Sequence, residues 1–229
     1  MNKPIFEFLV GNLLGDASIK RTVSGKAYIT FEQSVKKSEY LNYLYELVKN
    51  NGIPLKKESP TVYSRDDDRF GVTNKSLYFR TEALEELKPL ADMFLDESGK
   101  KIVPKNISEY LTEKGLAHWI MDDGQRVKRG GVTLCTDSFN SEEVTILRSA
   151  LNTNFNLITS IHNKKSGSGS MYERIYVNKE SLDLIKPTLN THIHDSMLYK
   201  INLERSLKQD TEGFISDSDI ITEIDIFDI

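Results

Sequence analysis

Apolar residues recur at every second position in KAYITFEQS (26–34) and GVTLCTDS (131–138), the period of strands with one buried face. Each run is followed by apolar residues at helical spacing, in KSEYLNYLYELVKN (37–50) and NSEEVTILRSALNTNF (140–155). Strand pairs come next: about 54–64 and 69–80 around the turn-like RDDDR, and about 157–164 and 171–178 around KSGSGS. A further helix closes each set. There YFRTEALEELKPL (78–90) aligns without a gap to YVNKESLDLIKPT (176–188) at an offset of 98, and both helices are expected to end near Lys-Pro, where the ring forbids continuation.

The pattern is therefore duplicated, and each copy opens on an apolar helix of about two turns. The expected fold is α+β, a pseudo-twofold pair of helix-strand-strand-helix-strand-strand-helix halves whose antiparallel sheets form a saddle and whose opening helices meet at the interface between halves. The halves are expected at 1–95 and 113–205. Residues 96–112 connect them, with a short helix after Pro104, and 206–229 form an acidic tail.

Composition narrows the functional classes. A hydrophobic share of 38% supports a real core, yet no apolar run reaches the roughly 18 residues of a membrane span. No membrane association is expected, and the start of the chain has neither signal-peptide nor transit-peptide layout. The single Cys135 excludes an intramolecular disulfide and a Cys-based zinc site, and His118, His162, His192 and His194 lack zinc-ligand spacing. A net charge of -4 argues against a nucleic-acid partner until its distribution is considered. Seven of the acids lie in 209–229, which has no Lys or Arg, and without that stretch the formal charge is +3. The tail's composition predicts disorder, with packing as a strand or occupation of the basic saddle as a DNA mimic as alternatives. The body uses 21 Lys to 9 Arg in a chain with 15 Asn, a bias that hints at an A/T-rich genome.

The chemistry lies in the two opening helices. The first reads Leu9-Val10-Gly11-Asn12-Leu13-Leu14-Gly15-Asp16-Ala17, the second Leu116-Ala117-His118-Trp119-Ile120-Met121-Asp122-Asp123-Gly124. Each places an acid at its C-terminal end, where the helix dipole disfavours negative charge by about 0.3–1 kcal/mol. A hard divalent cation would compensate, because Mg²⁺ takes one or two carboxylates together with substrate phosphate. Small residues Gly11, Gly15 and Ala117 would let the helices approach closely and bring Asp16 near Asp123.

These segments resemble the paired motifs of the LAGLIDADG homing endonucleases, of the single-chain, two-motif type found in organellar introns, over about residues 5–205. The resemblance implies that Asp16 and Asp123 bind the catalytic Mg²⁺ (or Mn²⁺); Asp122, which precedes the matching position, is expected either to support the metal-binding acids from behind or to have a structural role. It also implies one basic residue per half near each centre. Lys101, 12 residues after Pro89, and Lys200, 13 after Pro187, are the candidates. Both strands of a long duplex would be cut across the minor groove with 3′ overhangs, by a monomer encoded in a mitochondrial intron or, alternatively, a chloroplast one. An intron RNA-binding maturase on the same fold is the competing reading.

A two-stranded ribbon fits the major groove. Strand alternation nominates Lys20, Arg21, Lys26, Tyr28, Thr30, Glu32, Arg65, Arg69, Lys75 and Arg80 in the first half as DNA contacts. In the second half it nominates Arg126, Lys128, Arg129, Thr133, His162, Lys164, Lys165 and Arg174. A one-residue slip in register would turn any of these to the other face.

Overall fold

Helix α1 (Lys3–Leu14) is buried from Phe8 through Leu14, and α4 (Glu113–Asp123) from Gly115 through Asp122, because each packs on the other along the middle of the molecule. The computed structural model describes residues 3–67, 71–165, 167 and 169–204. Contact between the helices is backbone to backbone. A Cβ placed on Gly11 would lie 2.0 Å from the carbonyl oxygen of Gly115, so only glycine permits this approach. The Thr112 hydroxyl caps α4 by accepting from the Gly115 N–H at 3.3 Å.

Each motif helix feeds an antiparallel four-stranded sheet. The first contains β1 (Ser18–Arg21), β2 (Ala27–Ser34), β3 (Thr61–Asp67) and β4 (Val72–Arg80) in the order β1-β2-β4-β3. The second contains β5 (Gly124–Arg126), β6 (Val132–Leu134), β7 (Thr159–Lys165) and β8 (Met171–Val177) in the order β5-β6-β8-β7. Helices α2 (Ser38–Asn50) and α3 (Lys88–Phe94) back the first sheet, and α5 (Ser141–Phe155) backs the second. Helix α6 (Lys179–Asn190) packs on α4. Alternation along β2 is as the pattern requires: Ala27, Ile29 and Phe31 face the helices, while Tyr28, Thr30 and Glu32 face outward.

Three sequence expectations are corrected. Pro89 does not end a helix but stands in the first turn of α3, and Pro187 lies within the last turn of α6. Proline is compatible with a first turn because its missing N–H has no partner there. The strand expected from residue 54 begins only at Thr61; Pro54 and Pro60 interrupt the ladder, leaving Leu55 an isolated bridge to Thr81. The run at 131–138 narrows to Val132–Leu134 because Thr136 turns inward and donates to the Glu173 carbonyl. The connector carries a 3-10 turn at Ile107–Glu109. It is tied to α5 by buried Glu143, whose carboxylate accepts from Val103 N at 2.9 Å and from Asn140 N at 2.8 Å. The acidic tail lies outside the described residues, among which no helix is long and apolar enough to cross a membrane.

Candidate active site at the junction of the motif helices

The last turn of α1 loosens into Gly15 and Ala17, whose N–H groups bond back to Gly11 and Asn12, and this turn presents Asp16 to solvent. Helix α4 ends on half-buried Asp123, with fully packed Asp122 before it. The acids meet at the junction. Asp122 Oδ2 accepts from the backbone N–H of Asp16 at 3.2 Å, and Gln33 Nε2 donates to Asp16 Oδ2 at 2.7 Å and to Asp122 Oδ1 at 3.4 Å. Tyr40 donates its hydroxyl to Asp122 Oδ1 at 2.8 Å, and Asn12 Nδ2 donates to Asp122 Oδ2 at 2.9 Å. Asn12, Gln33 and Tyr40 escaped the sequence reading. The signal was there for two of them: Asn12 is a lone amide in an apolar helix, and Gln33 has the core parity of Ala27, Ile29 and Phe31.

Both lysines reach the helix ends. Lys101 Nζ donates to the Gly15 carbonyl at 2.7 Å and the Ala17 carbonyl at 3.2 Å. Lys200 Nζ donates to the Met121 carbonyl and, at 2.8 Å, to the Asp122 carbonyl. Gly15 and Asp122 each precede the motif acid, so the two cations hold matching carbonyls. They satisfy terminal C=O groups and supply the compensation that an acid at a helix C-terminus requires. Each ammonium retains a third N–H.

Charge is crowded. Burial, then Asp16 and Asp122, push the Asp123 carboxyl up to about 7. Burial and the neighbouring Asp16 raise Asp122 as well. Burial lowers both lysines, against the pull of the three acids. Among the described residues no group of three or more His, Cys, Asp or Glu side chains is arranged to hold a metal ion by itself. Asp16 and Asp123 instead offer two hard-oxygen donors in a cluster short of positive charge, the donor set that Mg²⁺ or Mn²⁺ accepts alongside waters and phosphate. The residues fit such an ion.

The sheet register sorts the nominated DNA contacts. On the outward face of the first sheet stand Lys20, Tyr28, Thr30, Glu32, Arg65 and Arg80, with Lys26 exposed just before β2. Arg80 lies over the Tyr28 ring at 4.6 Å, and Tyr63 donates to Glu32. On the second sheet Thr133, His162, Lys164 and Arg174 face outward, and Lys128 and Arg129 are exposed in the β5–β6 turn. His162 stacks on Tyr176 at 4.9 Å. Arg174 is held by Asp137, Nε to Oδ1 at 2.6 Å, and by Gln125 at 3.3 Å.

Four residues are placed elsewhere. Lys75 pairs with Ser64 and shares the parity of Leu77 and Phe79; Lys165 pairs with Met171 and shares the parity of Ile161. Both point to the helix side of their sheets and are exposed there. Arg21, opposite Ala27, is drawn to the end of α3, where it donates to the Ala91 carbonyl at 3.0 Å and pairs with Asp92 at 3.3 Å. Arg126, opposite Val132, donates to Asn202 at 2.9 Å. Arg69 lies outside the described residues.

Two packed helices ending in acids, each feeding a helix-backed antiparallel sheet with an open polar face, define a class. The chain belongs to the LAGLIDADG DNA endonuclease family, whose model matches residues 6–185. Among particular relatives, it is 30% identical over 202 residues to the cytochrome b mRNA maturase bI2 of Debaryomyces hansenii, covering 88% of this chain and 74% of that protein. It is also 30% identical over 203 residues to the probable intron-encoded endonuclease 1 of Wickerhamomyces canadensis, covering 85% and 82%. The solved structure of the homing endonuclease I-WcaI bound to its DNA recognition sequence superposes with a TM-score of 0.74 at 29% identity, covering 87% of this chain and 86% of that one.

Proposed function

We infer that this homing endonuclease hydrolyses both strands of a long DNA duplex with a divalent metal, Mg²⁺ or Mn²⁺, in a staggered cut that leaves 3′ overhangs and promotes intron mobility. One observation carries the reading: Asp16 and Asp123, one from each half, stand at the ends of two helices in direct contact, close enough to raise the pKa of Asp123, and Asp16 is tied directly and through Gln33 to Asp122, the residue before Asp123. Asp16 and Asp123 would hold the ion. When bound, it supplies a lowered water pKa and stabilisation of charge on the scissile phosphate.

The chain's own residues do the rest. Gln33 fixes the rotamer of Asp16, and Lys101 and Lys200 bring positive charge beside both acids. The outward faces supply Arg and Lys for guanine edges and phosphates, with Thr and Glu for other base edges. The relative I-WcaI, bound to DNA, supports a duplex on this saddle. Two motifs in one chain support action as a monomer. The names of the relatives support an organellar intron as source, and the reading assigns the mitochondrion, with the chloroplast as alternative.

The maturase relative favours a second reading, intron RNA binding without DNA cleavage. Incubation with a library of randomised duplexes in Mg²⁺, in Mn²⁺ and in EDTA separates the two, with Asp16→Asn and Asp123→Asn as controls. Metal-dependent cleavage that both variants lose, with sequenced ends carrying 3′ overhangs, is the expected result. Intact duplexes together with tight binding to intron RNA would overturn it.

A further inference from the structure

Gly15 and Asp122 hold matching places, one residue before each motif acid, yet one is the smallest residue and the other a buried carboxylate. They fill the same space. A Cβ on Gly15 would fall 2.4 Å from the Asp122 Cβ and 2.6 Å from its Oδ2, so the carboxylate fits only because residue 15 is glycine. Asp122 belongs to the second half, but all four of its side-chain partners come from the first: Asn12 Nδ2, the Asp16 N–H, Gln33 Nε2 and the Tyr40 hydroxyl. Each of the four donates, and the two carboxyl oxygens of Asp122 accept two of these bonds apiece.

Among the described residues the second acid has no such support. The pairings Ser18 with Thr30 and Gln125 with Thr133 align Gln33 with Thr136, and Thr136 donates to the Glu173 carbonyl instead of to an acid. Asp16 is thus held by Gln33, which is backed by Asp122, whereas Asp123 lacks the equivalent contact among the described residues. We propose that Asp122 is a positioning residue acting across the junction, fixing Asp16 and Gln33 for one strand cut and leaving the other cut independent of it. The two cuts are then chemically unequal although the motifs are paired. This inference rests on the endonuclease reading above.

The test uses the full chain and a duplex recovered from the library experiment, labelled separately on each strand, with single-turnover cutting in Mg²⁺ followed strand by strand. Asp122→Asn keeps the shape but turns a donor toward other donors, and Gln33→Leu removes the shared partner. Each is expected to slow the same strand by about 10- to 100-fold while the other strand changes little. The double variant should be no slower on that strand than the worse single variant, because the two residues act as one unit. Tyr40→Phe removes one donor from Asp122 without touching either motif acid. It should slow the same strand by a smaller factor, and it carries the test alone if Asp122→Asn does not fold.

Melting temperatures separate positioning from general support. Equal slowing of both strands in step with a lowered melting temperature overturns the proposal, as do additive effects or effects on opposite strands. Failure of the wild-type chain to cut any duplex would instead remove the endonuclease reading, and the positioning role with it.

Discussion

Gly11 and Gly115 touch through their backbones at the crossing of the motif helices, with no room for a methyl group between them. Gly11→Ala must push the helices apart, and overpacking of this kind costs about 1–3 kcal/mol. The same displacement separates Asp16 from Asp123. Thermal denaturation is expected to show the loss of stability, and a cleavage assay run well below the new midpoint should show a loss of cutting larger than the unfolded fraction explains. Retained stability and activity would mean that the helices cross elsewhere.

A second prediction concerns His118. Its ring is fully buried between Phe8 and Tyr43, neither ring nitrogen has a hydrogen-bond partner among the described residues, and burial, then the charges of Lys114 and His192, lower its pKa to about 3. The folded chain keeps this imidazole neutral, while the unfolded chain protonates it near 6.5. Its contribution is therefore intact above pH 6.5 and is lost as pH falls toward 3, at up to about 1.4 kcal/mol per pH unit. Urea denaturation of wild type and His118→Phe between pH 7 and pH 5 checks this. The variant should match or exceed wild-type stability at pH 7 and show a shallower acid slope; parallel slopes would rule out His118 as the source.

Lys101 and Lys200 are expected to matter to cutting more than to DNA binding. Lys101→Met and Lys200→Met should each lower the single-turnover rate by about 10²- to 10³-fold, the usual effect of removing a preorganised charge from a developing negative centre. Lys100→Met, beside Lys101 but exposed in a turn where its backbone bonds to Asp96, should leave the rate unchanged. Equal effects at positions 100 and 101 would argue for bulk charge.

Lys164 and Lys165 are neighbours on opposite faces of β7. Binding of the recovered duplex at several salt concentrations should show that Lys164→Ala weakens affinity and reduces the salt slope by about one, while Lys165→Ala changes neither. The reverse result would mean that the register is slipped by one residue.

The duplication, the motif helices, both motif acids and both lysines were legible because each rests on local spacing or on a match between copies. Gln33 showed its core parity but not its partners, and Tyr40 showed neither, since their roles arise from Asp122, distant in sequence and brought near only by the contact of α1 with α4. Gly115 was missed for a similar reason: a Cβ there would crowd the Glu7 carbonyl oxygen of the other helix at 3.1 Å. For Arg21, Lys75, Arg126 and Lys165, composition gave a charge but not a direction. A ladder register fixes direction, and in these hairpins it depends on turn type and loop length, which a charged residue's identity does not reveal. Proline was over-read as a terminator at Pro89, where a first turn tolerates it.

The outward faces of the two sheets are not copies of each other. One offers Tyr28, Thr30, Glu32 and Arg80, the other Thr133, His162, Arg174 and Tyr176. A palindrome would ask both faces to read the same letters, which these side chains cannot do. The sequence recognised by this chain should therefore have unlike left and right arms, and each arm could be altered by changing one face while the other is left as it is.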